Sequence, residues 1–218
     1  MARLKVGVLI SGRGSNLQAL IDAAAAPGYP AEIVTVLSNR PDAYGLARAG
    51  QAGLPATVID HRDFGERAAF DAVVTQTLEE AGVELICLAG FMRLLSDGFV
   101  AHWRDRMINI HPSLLPLFPG LDTHARALAA GVKLHGCTVH YVREAVDSGP
   151  IIGQAAVPVL PGDDAEALAA RVLQAEHRLY PTCLRLVAAG KIRLVGGQAE
   201  GTAPGDAAAQ LFNPPAGG

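Results

Sequence analysis

The sequence predicts an α/β fold, a three-layer sandwich with a mostly parallel central sheet and an antiparallel addition in the C-terminal half. Three observations carry this. Short apolar runs alternate with helix-period segments as far as residue 110, the rhythm of β-α-β units. The runs are apolar at nearly every position, as strands covered on both faces require. Past residue 130 the rhythm gives way to two strand candidates joined through a Gly-Pro turn.

The elements follow in order. "KVGVLI" (5–10) is a first strand. After a glycine turn, Leu17, Leu20 and Ile21 of "NLQALIDAA" recur at helical spacing. "AEIVTVLSN" (31–39) is a second strand, "YGLARAGQAG" (44–53) a helix closed by Gly53, and "ATVID" (56–60) a shorter strand. Phe70, Val73, Val74 and Leu78 put one apolar stripe on a helix of about 64–81. "ELICLAG" (84–90) and "RMINI" (106–110) are buried strands. "GCTVHYV" (136–142) and "IIGQAAVPV" (151–159) flank the "DSGP" turn. "DDAE" (163–166) is a capping box, with its acidic cap three residues before Glu166. It opens a long helix through Leu168, Val172, Leu179 and Leu186, and Pro181 predicts a kink or break after Leu179–Tyr180. The N-terminal half is thus Rossmann-like. One domain is expected over 1–197, with halves 1–104 and 105–197, followed by a flexible Gly/Ala/Pro tail over 198–218.

Composition bounds the function. The 218 residues are 50% hydrophobic, ample for a single core. A net charge of −3 gives no electrostatic case for nucleic acid. No stretch approaches the ~18 apolar residues of a membrane span. The opening "MARLKVGVLISG" suits a strand better than a signal peptide. Cys87, Cys137 and Cys183 lie far apart in apolar settings without CxxC, which suits buried thiols of a reducing compartment. A cytoplasmic protein is expected, with no membrane or nucleic-acid partner.

"LISGRGSN" (9–16) joins the first strand to the first helix. It lacks the third glycine of G-x-G-x-x-G and the Gly-Lys-Ser/Thr end of a P-loop. Gly12 and Gly14 free the backbone, and amides at Ser15 and Asn16 could cradle a terminal phosphate at the helix start. The same residues also suit a plain turn capped by Ser15 or Asn16. Arg13 could face ligand or solvent.

"NIHPSLLPLFPG" (109–120) holds the second cluster. Strand alternation sends Asn109 and His111 to one side and Ile110 to the other. An amide and an imidazolium side by side can stabilise a developing oxyanion, although a lone histidine is more often structural. Asp147, in "REAVDSGPI" (143–151), could orient His111 or hold its charged form; an Asx-turn role is equally open. Ser113 has a proline neighbour and no G-x-S-x-G frame. None of the seven histidines forms H-x-x-x-H with a glutamate, and "DTH" and "HGCTVH" are weak metal signals, so no metal is expected. Donors and an acid without a nucleophile suit attack on a bound carbonyl by a substrate's own nucleophile.

The segments "VLISGRGSNLQALI", "SNRPDAYGLARA", "LAGFMRLLS", "NIHPSLLPLFPGLDTHARAL", "GCTVHYV", "DSGPIIGQAAVPV" and "EHRLYP", in that order, resemble the phosphoribosylglycinamide formyltransferases over about residues 4–195. These are folate-dependent enzymes of purine biosynthesis. The resemblance implies formyl transfer from 10-formyltetrahydrofolate, a cosubstrate, to the amine of glycinamide ribonucleotide, without an acyl-enzyme. It implies catalytic roles for Asn109, His111 and Asp147, and ribonucleotide contacts at Gly14, Ser15, Asn16 and Glu176. The folate side would comprise Arg67, Met92, Arg93, Leu94, Leu95, Asn109, Arg143 and Val146. Backbone groups of Met92 to Leu95 would read the pterin edge, Leu88, Phe91 and Val100 would bury its face, and Arg67 would meet the glutamate tail. Leu115–Pro116 is expected to be cis, holding the loop that leads into a mobile flap over 117–131. A monomer or weak homodimer is expected.

Three other readings compete. A methionyl-tRNA formyltransferase shares the Asn, His and Asp chemistry but is expected to carry a further C-terminal domain and a basic surface. A formyltetrahydrofolate hydrolase would use water as acceptor and carry an N-terminal regulatory domain. A non-catalytic nucleotide-binding module leaves Asn109, His111 and Asp147 unexplained.

Overall fold

A computed structural model describes residues 2–201 and Asn213. Its strands are β1 (Leu4–Ile10), β2 (Ala31–Ser38), β3 (Ala56–Val58), β4 (Leu85–Leu88), β5 (Met107–His111), β6 (Leu134–Tyr141) and β7 (Ile151–Pro158). They form one sheet in the order β3-β2-β1-β4-β5-β6-β7. Pairing is parallel from β3 through β5 and antiparallel between β5, β6 and β7. The helices are α1 (Ser15–Ala24), α2 (Gly45–Gln51), α3 (Arg67–Glu80), α4 (Asp97–His102), α5 (Thr123–Ala129) and α6 (Ala165–Ala188). The mixed sheet agrees with the fold expected from the sequence.

Alternation along the strands builds the two outer layers. Val8, Ile10, Cys87 and Ile108 pack with Leu17 and Leu20 of α1 and with Leu168, Val172 and Tyr180 of α6. Leu9, Ile86, Leu88 and Met107 pack on the opposite side with Phe70, Val74 and Leu78 of α3 and with Phe99 and Trp103 of α4. Each such large apolar side chain contributes about 1.5–3 kcal/mol on burial. The strand order reverses between β1 and β4, so a crevice opens beyond their carboxyl ends, where open α/β sheets bind ligands.

Several expectations need correction. Helix α3 starts at Arg67, and Val73 lies outside its buried stripe, 39% exposed. Asp164, not Asp163, caps α6, accepting from Ala167 N at 2.8 Å. Asp163 instead accepts from Arg171 and from Leu160 N. Pro181 does not break α6, which continues to Ala188. The lost backbone donor costs a helix about 3 kcal/mol, but Tyr180, Cys183 and Leu184 are buried in the core on either side of it. Their burial outweighs that cost.

The sequence reading left α4 and α5 unassigned. Ser96 caps α4 by accepting from Phe99 N, whereas α5 lies within the expected flap. Past α6, β8 (Arg193–Val195) and β9 (Gln198–Glu200) form a separate hairpin, so regular structure runs three residues beyond the expected tail boundary. Most of the remaining tail lies outside the described residues. Asn213 Nδ2 donates to the carbonyls of Lys133 and Val159. No helix of the described residues is long and apolar enough to cross a membrane.

Candidate active site

Asn109 and His111 lie at the carboxyl end of β5. They share the parity of Met107, which faces the α3/α4 layer. The expected same-side pair is therefore present. His111 is buried, 6% exposed. Its Nε2 bonds to the Phe118 carbonyl at 3.0 Å, and its Nδ1 lies 3.4 Å from Asp147 Oδ2. A carbonyl only accepts, so Nε2 carries a proton here. Asp147 also accepts from Gly120 N at 2.8 Å, drawing the segment after β5 over the histidine.

Asp147 reaches this point because the 142–150 connection folds back on β6. A Cβ at Gly149 would stand 1.7 Å from the Tyr141 carbonyl oxygen, so only glycine permits the approach. Asp147 itself has φ 53°, a left-handed conformation that aspartate tolerates better than most residues. Leu115–Pro116 is cis, as the resemblance implied.

Sequence reasoning missed His140 as a member of this site. In the β5–β6 ladder Asn109 lies directly opposite His140, and their Nδ2 and Nε2 atoms are 3.3 Å apart. His140 Nδ1 bonds to the Tyr141 carbonyl at 2.9 Å, and Nε2 is 3.8 Å from Asp147 Oδ1. Burial pushes its pKa below the ordinary histidine value, against the Tyr141 carbonyl and the Asp147 charge. Period-two alternation on "GCTVHYV" marks His140 as sharing a face with Thr138, but only the β5–β6 register brings it to Asn109.

On the other side of the crevice Gly14 precedes α1 with φ 68°, and no side chain caps this helix. The capped-turn alternative through Ser15 or Asn16 is therefore not what forms. A Cβ on Gly14 would lie 2.6 Å from Gly45 Cα, so the loop packs directly on the start of α2. Arg48 Nε donates to the Arg13 carbonyl at 2.9 Å. Arg13 itself is exposed. Asn16 is turned inward, its Nδ2 donating to Glu176 Oε2 at 2.7 Å. Burial pushes the Glu176 pKa up, and the Asn16 bond opposes it. The sequence offered no sign that these two side chains meet. A hollow lined by Ser15, Gln18, Arg48 and His177 opens beside the loop.

Ser11 joins the two sides. Its Oγ donates to Asn39 Oδ1 at 2.6 Å and accepts from Met92 N at 2.7 Å. The Met92 amide, expected to read a pterin edge, is thus already engaged. Asp71 Oδ2 holds the other end of this loop by accepting from Ser96 N at 2.7 Å. Arg93 stacks over Phe70. Leu88 and Val100, expected to line the pterin face, are buried in the α3/α4 core, while Phe91 is half-buried. The Arg143 guanidinium, expected on the folate side, bonds to Asp105 at 2.6 Å and to the Val142 carbonyl. Arg67 is exposed at the first turn of α3. Apolar side chains stand in solvent on the loops nearby: Met92 is 73%, Leu94 58% and Val146 55% exposed. A flat ring bound there would cover them. Among the described residues no group of three or more His, Cys, Asp or Glu side chains could hold a metal ion.

A glycine turn at an uncapped helix start, a buried carboxylate and an Asn–His–Asp cluster lie at the carboxyl ends of the parallel strands, an arrangement suited to small-molecule group transfer. The chain matches the formyl transferase family over residues 4–184 and belongs to that family. It is 44% identical over 191 residues to the phosphoribosylglycinamide formyltransferase of Escherichia coli strain K12, covering 88% of this chain and 90% of that protein. It is 58% identical over 195 residues to the trifunctional purine biosynthetic protein adenosine-3 of Drosophila pseudoobscura pseudoobscura. That alignment covers 88% of this chain but 14% of the longer relative. The crystal structure of glycinamide ribonucleotide transformylase 1 from Symbiobacterium toebii superposes with a TM-score of 0.88 at 49% identity, covering 90% of this chain and 93% of that one.

Proposed function

We propose that this chain transfers the formyl group of 10-formyltetrahydrofolate to the amine of glycinamide ribonucleotide, giving the N-formyl product and tetrahydrofolate in purine biosynthesis. The observation that carries the reading is His111, held between Asp147 on Nδ1 and a carbonyl acceptor on Nε2, with Asn109 on the same strand face. The formyl oxygen takes the place of the Phe118 carbonyl on Nε2. Asn109 supplies a second donor to the same oxygen.

The unprotonated amine attacks the formyl carbon, and negative charge grows on the oxygen that Asn109 and His111 meet. Asp147 holds the ring in place and stabilises its positive charge. As the carbon–N10 bond breaks, the proton lost by the amine passes by way of water near Asp147 to N10. No bond to the protein forms. Amides of Gly14, Ser15 and Asn16 hold the phosphate, and Glu176 accepts from the ribose hydroxyls. Arg67 and the segments 92–95 and 143–147 hold the folate.

In this reading the chain through β9 acts as one domain, in the cytoplasm, as a monomer or weak homodimer. The three cysteines are free and buried, which fits a reducing compartment. Purified protein given both substrates should form the N-formyl ribonucleotide and tetrahydrofolate in equal amounts. Tetrahydrofolate formed with formate as the only other product would replace this reading with hydrolysis.

A further inference from the structure

The contact between β5 and β6 decides how Asn109 points. His140 Nδ1 lies 2.9 Å from the Tyr141 carbonyl oxygen, which can only accept, so Nδ1 carries the ring proton. Nε2 of the neutral ring then has a lone pair and no hydrogen. Asn109 therefore turns its nitrogen, not its oxygen, toward Nε2 across 3.3 Å. The opposite amide orientation would set two acceptors against each other.

We propose that His140 is a positioning residue for formyl transfer, its Nε2 accepting one N–H of Asn109 and so aiming the other at the reacting carbonyl oxygen. The proposal rests on Asn109 being an oxyanion donor. The pair is directly opposed in the ladder, where neighbouring side chains touch without distortion. His140 is 2% exposed, so water does not compete for Nε2. A freely turning amide would spend part of its time presenting oxygen to a growing negative charge. His140 removes that state.

The test is a double-mutant cycle in kcat, with both KM values and melting temperatures measured alongside. His140→Leu should lower kcat about 10- to 100-fold, the cost of a misplaced group. Both KM values should stay within about threefold, because the lost interaction belongs to the transition state. His140→Gln can donate to Tyr141 and accept from Asn109, and should recover to within about fivefold of wild type. In an Asn109→Ala background His140→Leu should change kcat by less than about threefold, since the residue it acts through is gone. Should the leucine variant not fold, His140→Ala takes its place in the cycle. Fully additive losses, a glutamine variant no better than leucine, or a wild-type kcat in His140→Leu would each overturn the proposal. A wild-type kcat in Asn109→Ala alone would instead overturn the reading of Asn109, and this proposal with it.

Discussion

Asn16 and Glu176, 160 residues apart, meet through a 2.7 Å hydrogen bond in which the Asn16 amide donates to Oε2. The bond ties the start of α1 to the middle of α6, and so ties the expected phosphate cradle to the expected ribose acceptor. Burial raises the Glu176 pKa, and Asn16 counteracts it. A ribose diol binds best to the ionised carboxylate. As pH falls through the raised pKa the acceptor is lost, so the KM for ribonucleotide should climb on the acid side. Asn16→Ala keeps the backbone amide but removes the opposing bond, so the climb should begin at higher pH. Initial rates across pH for both proteins check this; superimposable profiles would count against it.

Gly14 offers a test of the loop itself. Its positive φ and its approach to Gly45 exclude a side chain. Gly14→Ala should cost about 1–2 kcal/mol from the left-handed backbone alone. It should raise the KM for ribonucleotide while leaving that for folate within about twofold, as separate subsites imply. Thermal melts and the two KM values measure both effects. Equal weakening of both substrates would mean a general loss of structure.

How much of this was legible in the sequence depends on which signals are local. Residues 6–10 and 85–90 announced strands β1 and β4 because they are apolar throughout, and alternation alone put Asn109 and His111 on one face. The order of motifs pointed to the family before any geometry. Pro181 does not produce a break because the burial of Tyr180 and Leu184, which a backbone rule does not see, holds α6 together. Asp163 misled because two adjacent aspartates can each cap, and Arg171 claimed one of them. His140 and the Asn16–Glu176 bond were out of reach: both depend on which strands and helices become neighbours.

Asp147 is expected to act through its charge. Asp147→Asn can still accept from Gly120 N but loses the negative charge beside His111 Nδ1. We expect kcat to fall about 10²-fold, within the range for acid–base groups, with smaller changes in either KM. A variant with unaltered kcat would reduce Asp147 to a turn residue.

Arg67 and Arg143, two of the three arginines expected on the folate side, should behave differently. The Arg143 guanidinium is paired with Asp105, which is half exposed, so the pair is worth about 1 kcal/mol or less. Arg143→Ala should barely alter the KM for folate, whereas Arg67→Ala should raise it, and more so for a substrate with a longer glutamate tail. The reverse order would mean that Arg143 leaves Asp105 when folate binds.

The central claim is that two donors on β5 stabilise one oxygen. Its most direct measurement is kcat for Asn109→Ala and His111→Ala with both substrates saturating. Removing one such donor should slow turnover about 10²–10³-fold while both substrates still bind with nearly normal affinity. Turnover close to wild type in both variants would contradict the account.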